Sequence, residues 1–287
     1  MSVEMERSPQ MIITRLFLVL LLGPLVLLAG CTAFGPKEEL LLKRVTVEDL
    51  TALLRQRDAA VSSMKGLFSA KVRGGLIPIL SRVEGTVYYR RPNALRLKGF
   101  TPLGGEVFEF VQADEWYRLR LPMEGKVYTG SQTDLKDQGH LARFSQLSAW
   151  AIGGLLGANA LTREETAKLV LERSRYRLDV YGVARGVGHS SRTLIRRLWF
   201  DHRLLVVQEE RLGGDGAIEA TIHYDDFRPL DEGGPVSSQA FADAETRSLR
   251  PFKVSLEDGR GQGALQVTFH ELHQNQTITA EDLGQTL

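Results

Sequence analysis

The chain has 287 residues, with 36 basic and 35 acidic side chains, one cysteine and a formal net charge of +1 at pH 7. This balance gives no electrostatic reason to expect a nucleic-acid ligand, and a single cysteine excludes an internal disulfide framework. With 43% hydrophobic and 25% charged residues, the composition is that of a globular domain that depends on an apolar core.

The first segment of the chain predicts export. Arg15 precedes an apolar run over residues 16–29. This run is shorter than the roughly twenty apolar residues of a membrane-spanning helix and has the length of a signal-peptide core. It ends in Leu-Ala-Gly-Cys at 28–31, which resembles the lipobox of bacterial lipoproteins. The resemblance implies removal of residues 1–30, a diacylglyceryl group on the Cys31 thiol and an acyl group on the new amino terminus, with no other cofactor.

Two further features concern the processed chain. Position 32 is Thr rather than Asp, which by analogy with enteric lipoproteins indicates the outer membrane, with the folded part on its periplasmic side. Residues 31–45 would form a lipidated tether. The alternatives are an ordinary signal peptide or short anchor with a chance cysteine, and a true start at Met5 or Met11.

A helix is the first predicted element of the folded part. Apolar residues recur at helical spacing over 46–64, which favours one buried face. Thr46 and Asp49 resemble a capped start. This helix is expected to pack on a sheet.

Short β-rich runs separated by turn residues follow the helix. They cover 67–73, 79–90, 94–101, 105–112, 115–121 and 126–128. Apolar and polar residues alternate clearly over 83–90. Closely spaced strands with short turns predict an antiparallel meander that curls into a half-barrel.

The second half of the chain repeats this pattern. A strongly apolar helix is predicted over 141–157, and further strands at 176–181, 192–200, 204–212, 217–224, 252–256 and 264–272. Residues 230–249 are predicted as an exposed loop or insertion, and 275–287 as a flexible tail. The whole predicts one α+β domain over 46–274, a curled antiparallel sheet with helices packed on it.

No catalytic constellation is evident in the sequence. A nucleophile elbow, a phosphate loop and an HExxH motif are all missing, and no metal site is predicted. The aromatic content is more informative, because a curled sheet capped by helices can keep an apolar cavity open. The candidates for lining it are Phe108, Phe110, Trp116, Trp150 and Trp199. A solid core filled by the same side chains is the open alternative.

One predicted turn carries an unusual residue at its tip. Between Phe100 and Gly105, Pro102 and Gly104 flank Leu103. A large aliphatic side chain at a turn exposes apolar surface unless it has a partner. It either folds back on the protein or inserts into a bilayer or into an apolar groove of a partner.

The order of these signals is similar to that of the LolA/LolB family of lipoprotein carriers and outer-membrane receptors. The resemblance is carried by the lipobox, the first helix, Val-Glu-Gly-Thr-Val-Tyr-Tyr at 83–89, Thr-Pro-Leu-Gly-Gly at 101–105, Gly-Lys-Val-Tyr-Thr at 125–129, the Trp-containing helix at 147–157 and the closing hairpin around 252–272. The chain departs from the family pattern at 182–192 and at 230–249.

This resemblance implies a half-barrel with helices capping its concave face, and a non-enzymatic function. The protein would bind acyl chains, receive lipoproteins or lipids from a periplasmic carrier, and insert them into the outer membrane. Leu103 occupies the place of a leucine that helps delivery, and Trp150 belongs to the helices that close the cavity. The competing hypothesis is an assembly lipoprotein that scaffolds an envelope complex around a filled core. A hydrolase is a third possibility, for which the sequence offers no nucleophile or carboxylate pair.

Overall fold

The computed structural model describes 44–74, 82–131, 160–172, 174–183, 192–230, 249–261 and 263–285, together with Gln146, Trp150, Gly153 and Gly154. The chain divides into two units, 1–41 and 42–287, and these residues all belong to the second. The predicted signal peptide, Cys31, the tether up to residue 43, most of the predicted second helix and residues 231–248 of the predicted insertion lie outside the described residues.

Helix α1 spans Val47–Ala59 and begins with a capping box. The Asp49 amide donates to Thr46 Oγ1 at 3.2 Å, and the Thr46 amide donates to Asp49 Oδ2 at 2.9 Å. The Thr46 hydroxyl also donates to Asp49 Oδ2, at 2.9 Å, and the two hydrogen bonds that the carboxylate accepts from Thr46 lower the pKa of Asp49. Leu50 and Leu54 anchor the helix in the core. The helix is shorter than the predicted 46–64, because the chain has already entered the first strand by residue 63.

A single antiparallel sheet contains all thirteen strands of the described residues. The strands are β1 Ser63–Gly74, β2 Arg82–Arg90, β3 Ala94–Phe100, β4 Glu106–Ala113, β5 Trp116–Leu121, β6 Lys126–Ser131, β7 Thr166–Glu172, β8 Arg175–Val183, β9 Arg192–Phe200, β10 Val206–Leu212, β11 Ile218–Pro229, β12 Leu249–Asp258 and β13 Gly263–Gln274. A 3-10 turn, Pro122–Glu124, joins β5 to β6.

The strand order is β6-β5-β4-β3-β2-β1-β13-β12-β11-β10-β9-β8-β7. Strands β1–β6 therefore form one meander and β7–β13 a second. The pairing of β1 with β13 joins the two meanders at the centre of the sheet. Strands β6 and β7 are the two edges, so the sheet does not close. The predicted meanders are thus confirmed as one large open sheet.

One face of this sheet packs against α1 and is called the core face; the other is the outer face. Large buried side chains of the core face include Tyr117, Tyr176, Leu178, Leu198, Phe200 and Ile222. Two glycines of the core face let aromatic rings lie across the strands. An added Cβ at Gly85 would come within 2.5 Å of the Phe68 ring, and one at Gly99 within 2.3 Å of the Phe108 ring. Aromatic side chains therefore fill the space over β2 and β3.

Residues 276–285 lie along the outer face of β2–β5 and are called the C-terminal strap. Ile278 and Leu283 are buried there against Ala94. The Arg96 guanidinium donates to the carbonyl oxygens of Glu281 and Asp282, at 3.0 and 2.9 Å. A flexible tail was the expectation for this segment, and its buried side chains correct it.

A buried carboxylate lies beside the strap on the same outer face. Glu109 is 3% exposed, and its carboxylate oxygens lie 2.6 Å from Arg96, 3.3 Å from Arg120 and 3.8 Å from Lys98. Burial raises the pKa of Glu109, but the hydrogen bond from Arg96 and the surrounding positive charges outweigh it, so the pKa lies below its ordinary value. The carboxylate thus holds three neighbouring strands together electrostatically.

Candidate functional site

The loop between β3 and β4 is closed by its own hydrogen bonds. The Thr101 amide donates to the Gly105 carbonyl at 2.7 Å, and the Gly104 amide to the Thr101 carbonyl at 2.9 Å. The Gly105 amide also donates to Thr101 Oγ1 at 3.0 Å. Gly104 has φ +89°, a left-handed conformation that a residue with a Cβ rarely adopts. The sequence therefore folds into a tight loop with a defined tip.

Leu103 lies at this tip and is 99% exposed. It does not fold back, since a side chain packed on Phe100 or Val107 would be at least partly covered. Pro102 and Gly104 are exposed on either side of it. The tight loop thus exposes a fully solvated aliphatic side chain. Transfer of such a side chain from water into an apolar environment lowers its free energy.

The five aromatic candidates divide between the two faces of the sheet. Phe108 and Phe110 belong to the core, and Trp150 packs against it as a half-buried side chain. Trp199 lies between Leu198 and Phe200, both core residues, so its own side chain points to the outer face. Its indole N–H donates there to Glu172 at 3.0 Å.

Trp116 is also on the outer face. It is 41% exposed and precedes Tyr117, which is fully buried in the core. A cavity on the core face therefore includes neither Trp116 nor Trp199. The sequence did not reveal this, because large aromatic residues stand on both faces of these strands and the alternation alone does not say which face is buried.

A buried charged cluster interrupts the core face on β9–β11. Glu209 is fully buried, accepts a hydrogen bond from Tyr224 Oη at 3.1 Å, and lies 2.5 Å from Arg211 Nε. Arg196 is 3% exposed and donates to Glu165 Oε2 at 2.9 Å. Burial lowers the pKa of Arg196, an effect that Glu209 and Glu165 oppose. Acidic and basic side chains are therefore held together inside an otherwise apolar interior.

The helical residues Trp150 and Gly154 lie over this cluster. The Arg211 guanidinium carbon is 5.7 Å from the centre of the Trp150 ring, a distance typical of a cation–π contact. A Cβ added to Gly154 would lie 2.0 Å from Tyr224 Oη, so the backbone approaches this tyrosine closely. The charged cluster was not predicted from the sequence. It could have been, because Arg196 and Glu209 stand at strand positions where the alternation of polar and apolar residues predicts apolar side chains.

A small cavity lies beside the cluster, next to two buried arginines. Its volume is about 30 Å³, and its lining includes Arg57, Arg250, Leu54 and Tyr224. The volume suits one water molecule and not an acyl chain. Burial, together with the neighbouring Arg250, lowers the pKa of Arg57 to about 10.

A second cavity, of about 590 Å³, opens at the ends of β1, β12 and β13. Its lining is mixed, with Lys71, Arg73 and Arg82 beside Val72 and Leu256. A ligand at this place would contact both charged and apolar side chains.

The described residues lack two features, a membrane-spanning helix and a metal site. None of their helices is long and apolar enough to cross a membrane. They also contain no group of three or more His, Cys, Asp or Glu side chains that could hold a metal ion.

Comparison with known proteins supports the fold. The sequence matches no protein-family model and no curated protein. Among solved structures, a domain from Vibrio parahaemolyticus named for outer membrane lipoprotein sorting aligns at a TM-score of 0.51 and 9% identity, covering 83% of this chain and 97% of its own. A DUF1329 family protein from Desulfovibrio piger aligns at 0.52 and 10% identity, covering 83% and 96%. A LolA superfamily protein from Nitrosomonas europaea aligns at 0.48 and 10% identity, covering 82% and 96%. The first two alignments, with TM-scores above 0.5, show that this chain shares its fold with the domain named for outer membrane lipoprotein sorting and with the DUF1329 family protein.

Proposed function

We propose that this protein is a lipid-anchored, non-enzymatic receptor at the periplasmic face of the outer membrane, which binds acyl chains and delivers lipids or lipoproteins into the bilayer through the Leu103 loop. The observation that carries the proposal is the 99% exposed leucine on a hydrogen-bonded loop. The likeness to a domain named for lipoprotein sorting supports it. The anchor would be the diacylglyceryl and acyl groups on Cys31, and the donor of cargo a periplasmic carrier protein.

The proposal requires a curved sheet with helices on its concave side. Helix α1 leads directly into β1, yet it also contacts β7, the far edge strand. In a flat sheet, β7 would lie seven strand spacings from β1, or about 34 Å. A helix of this length extends only about 20 Å. We infer that the β13–β7 half of the sheet curls towards α1, as a half-barrel does, and that the helical residues around Trp150 cap the concave face.

An acyl chain would enter between the core face and the segment that carries Trp150. The half-buried Trp150 ring makes a cation–π contact with Arg211, and a contact of this kind is modest compared with burial of a whole hydrocarbon chain. Transfer between apolar sites of rising affinity is driven by burial and needs no nucleotide.

A pair of variants tests the binding and delivery steps separately. Leu103→Glu removes no intramolecular contact, so stability should change by less than about 0.5 kcal/mol. Lipid bound to the full chain, measured by native mass spectrometry, should also be unchanged, whereas delivery of an acylated lipoprotein to vesicles should be lost. Trp150→Glu should instead abolish lipid binding.

The control is Leu171→Glu, the same change at a 69% exposed leucine on an edge strand. It should leave both binding and delivery intact. Normal delivery by Leu103→Glu would contradict the proposed role of the loop.

A scaffold function is the second candidate, and one observation favours it. The Phe68 and Phe108 rings fill the space over two glycines, as expected of a solid core with no room for ligand. A scaffold would copurify from crosslinked envelopes with a stoichiometric protein partner and would carry no lipid in native mass spectrometry.

A further inference from the structure

The Leu103 loop is not the only apolar projection at its end of the sheet. The 3-10 turn Pro122–Glu124 joins β5 to β6, and β3, β4, β5 and β6 are consecutive antiparallel neighbours. The two connections therefore lie at the same end of the sheet. They are two strand spacings apart, or about 10 Å.

This second connection also presents apolar side chains to solvent. Met123 is 63% exposed at the turn, and Val127, the second residue of β6, is 59% exposed. The Gly125 amide donates to the Pro122 carbonyl at 3.2 Å, and Gly125 has φ +63°. The turn is therefore closed by its own hydrogen bond, like the Leu103 loop.

Exposed apolar side chains concentrate at this end of the sheet. Among the described residues, those at this end are Leu103, Met123, Val127, Val183 and Ile218, and those elsewhere are Leu67, Trp116 and Leu171. Leu103, Met123 and Val127 lie on neighbouring connections of β3–β6, whereas Val183 and Ile218 belong to the other half of the sheet. Neighbouring exposed apolar residues mark an interaction surface, whereas single scattered ones do not.

Ion pairs lie behind the two projections. Near the tips, the cations are Lys98, Arg120 and Lys126, and their carboxylate partners are Glu106, Glu109 and Glu124. Three cations against three carboxylates leave no net charge at this end of β3–β6. Apolar tips in front of a neutral belt of charged side chains match a phospholipid bilayer, whose hydrocarbon lies beneath a layer of polar headgroups.

We propose that Met123 is a second membrane anchor, and that the Leu103 loop and the 122–125 turn enter a phospholipid bilayer together. This inference rests on the proposed delivery function and deepens it. Two tips about 10 Å apart fix the orientation of the sheet on the membrane, which one loop alone does not. Lys98, Arg120 and Lys126 then lie at the depth of the lipid phosphates.

Photocrosslinking of the full chain to lipid tests this arrangement. The chain is mixed with vesicles of phosphatidylethanolamine and phosphatidylglycerol that contain a phospholipid with a diazirine in its acyl chain. After illumination, trypsin separates the two tips, because Leu103 falls in peptide 99–118 and Met123 in peptide 121–126. Peptide 169–173 carries the exposed Leu171 at the opposite end of the sheet and serves as an internal control.

We expect lipid adducts at residues 103 and 123 and none at 171. Adducts at 103 without adducts at 123 would overturn the second anchor and leave the proposed function standing. The absence of adducts from both tips would overturn both.

A variant tests whether the two tips act together. Met123→Glu should lower the adduct yield at Leu103 about tenfold, which corresponds to 1.4 kcal/mol, while Leu171→Glu should leave it unchanged. Because both residues are exposed, neither change removes a core contact. An unchanged yield at Leu103 in Met123→Glu would show that the loop inserts alone and would overturn the joint insertion.

Discussion

Leu283 offers the sharpest test of the C-terminal strap. The residue is fully buried on the outer face, against Ala94 and Ile278. Truncating a buried leucine to alanine costs about 2–5 kcal/mol, through lost burial and the cavity left behind. The strap crosses the surface and can relax partly, so we expect about 3 kcal/mol for Leu283→Ala. A flexible tail would give no change.

Equilibrium unfolding in urea, followed by circular dichroism, measures this cost. For a dependence on urea of about 3 kcal/mol per molar, the midpoint should fall by about 1 M. Leu171→Ala is the matched control, since the same atoms are removed from a 69% exposed side chain, and it should shift the free energy of unfolding by less than about 0.5 kcal/mol. Equal midpoints for the two variants would refute the packing of the strap.

Two further predictions concern the sheet itself. Glu109→Gln should cost about 2 kcal/mol at pH 7, because it removes the buried carboxylate that several partly buried cations share. Since the folded pKa of Glu109 is lowered, its contribution is present above its unfolded pKa and is lost as the pH falls through the folded value, so urea unfolding should show a smaller deficit at pH 3 than at pH 7. Gly99→Ala should cost about 1–3 kcal/mol by thermal or urea unfolding, because the new Cβ overlaps the Phe108 ring. Gly214→Ala, at a glycine with open space around its Cβ position, is the control and should be nearly neutral.

Local patterns predicted most strands, because a strand with one buried face has a period of two that is visible in sequence. The capping box of α1 was equally readable, since Thr46 and Asp49 have the required spacing. The pairing of β1 with β13 could not be predicted in this way, because it joins segments that are distant in the sequence and leaves no local periodicity.

The errors have identifiable physical causes. The segment after Gln274 is mostly polar, with Ile278 and Leu283 among its few apolar residues, so its composition suggested a flexible end. Two buried side chains and the carbonyls that Arg96 binds are enough to hold it on the sheet. Trp116 and Trp199 were assigned to a cavity on size alone. Their neighbours Tyr117 and Leu198 take the core face, which obliges the tryptophans to face outwards.

The two halves of the core face differ in chemistry, and this difference indicates where a ligand would bind. Over β2 and β3, aromatic rings lie directly on glycine backbone. An acyl chain would have to displace these rings, and the apolar surface buried by the chain would be offset by the apolar surface that the rings expose. Over β9–β11, the Trp150 ring lies on Arg211, which pairs with the buried Glu209. Displacing this ring would uncover polar side chains without emptying a packed aromatic core. We therefore place the proposed acyl site beneath Trp150 rather than beneath Phe108, so a lipid with a polar head beside its chain would find hydrogen-bonding groups at the same place.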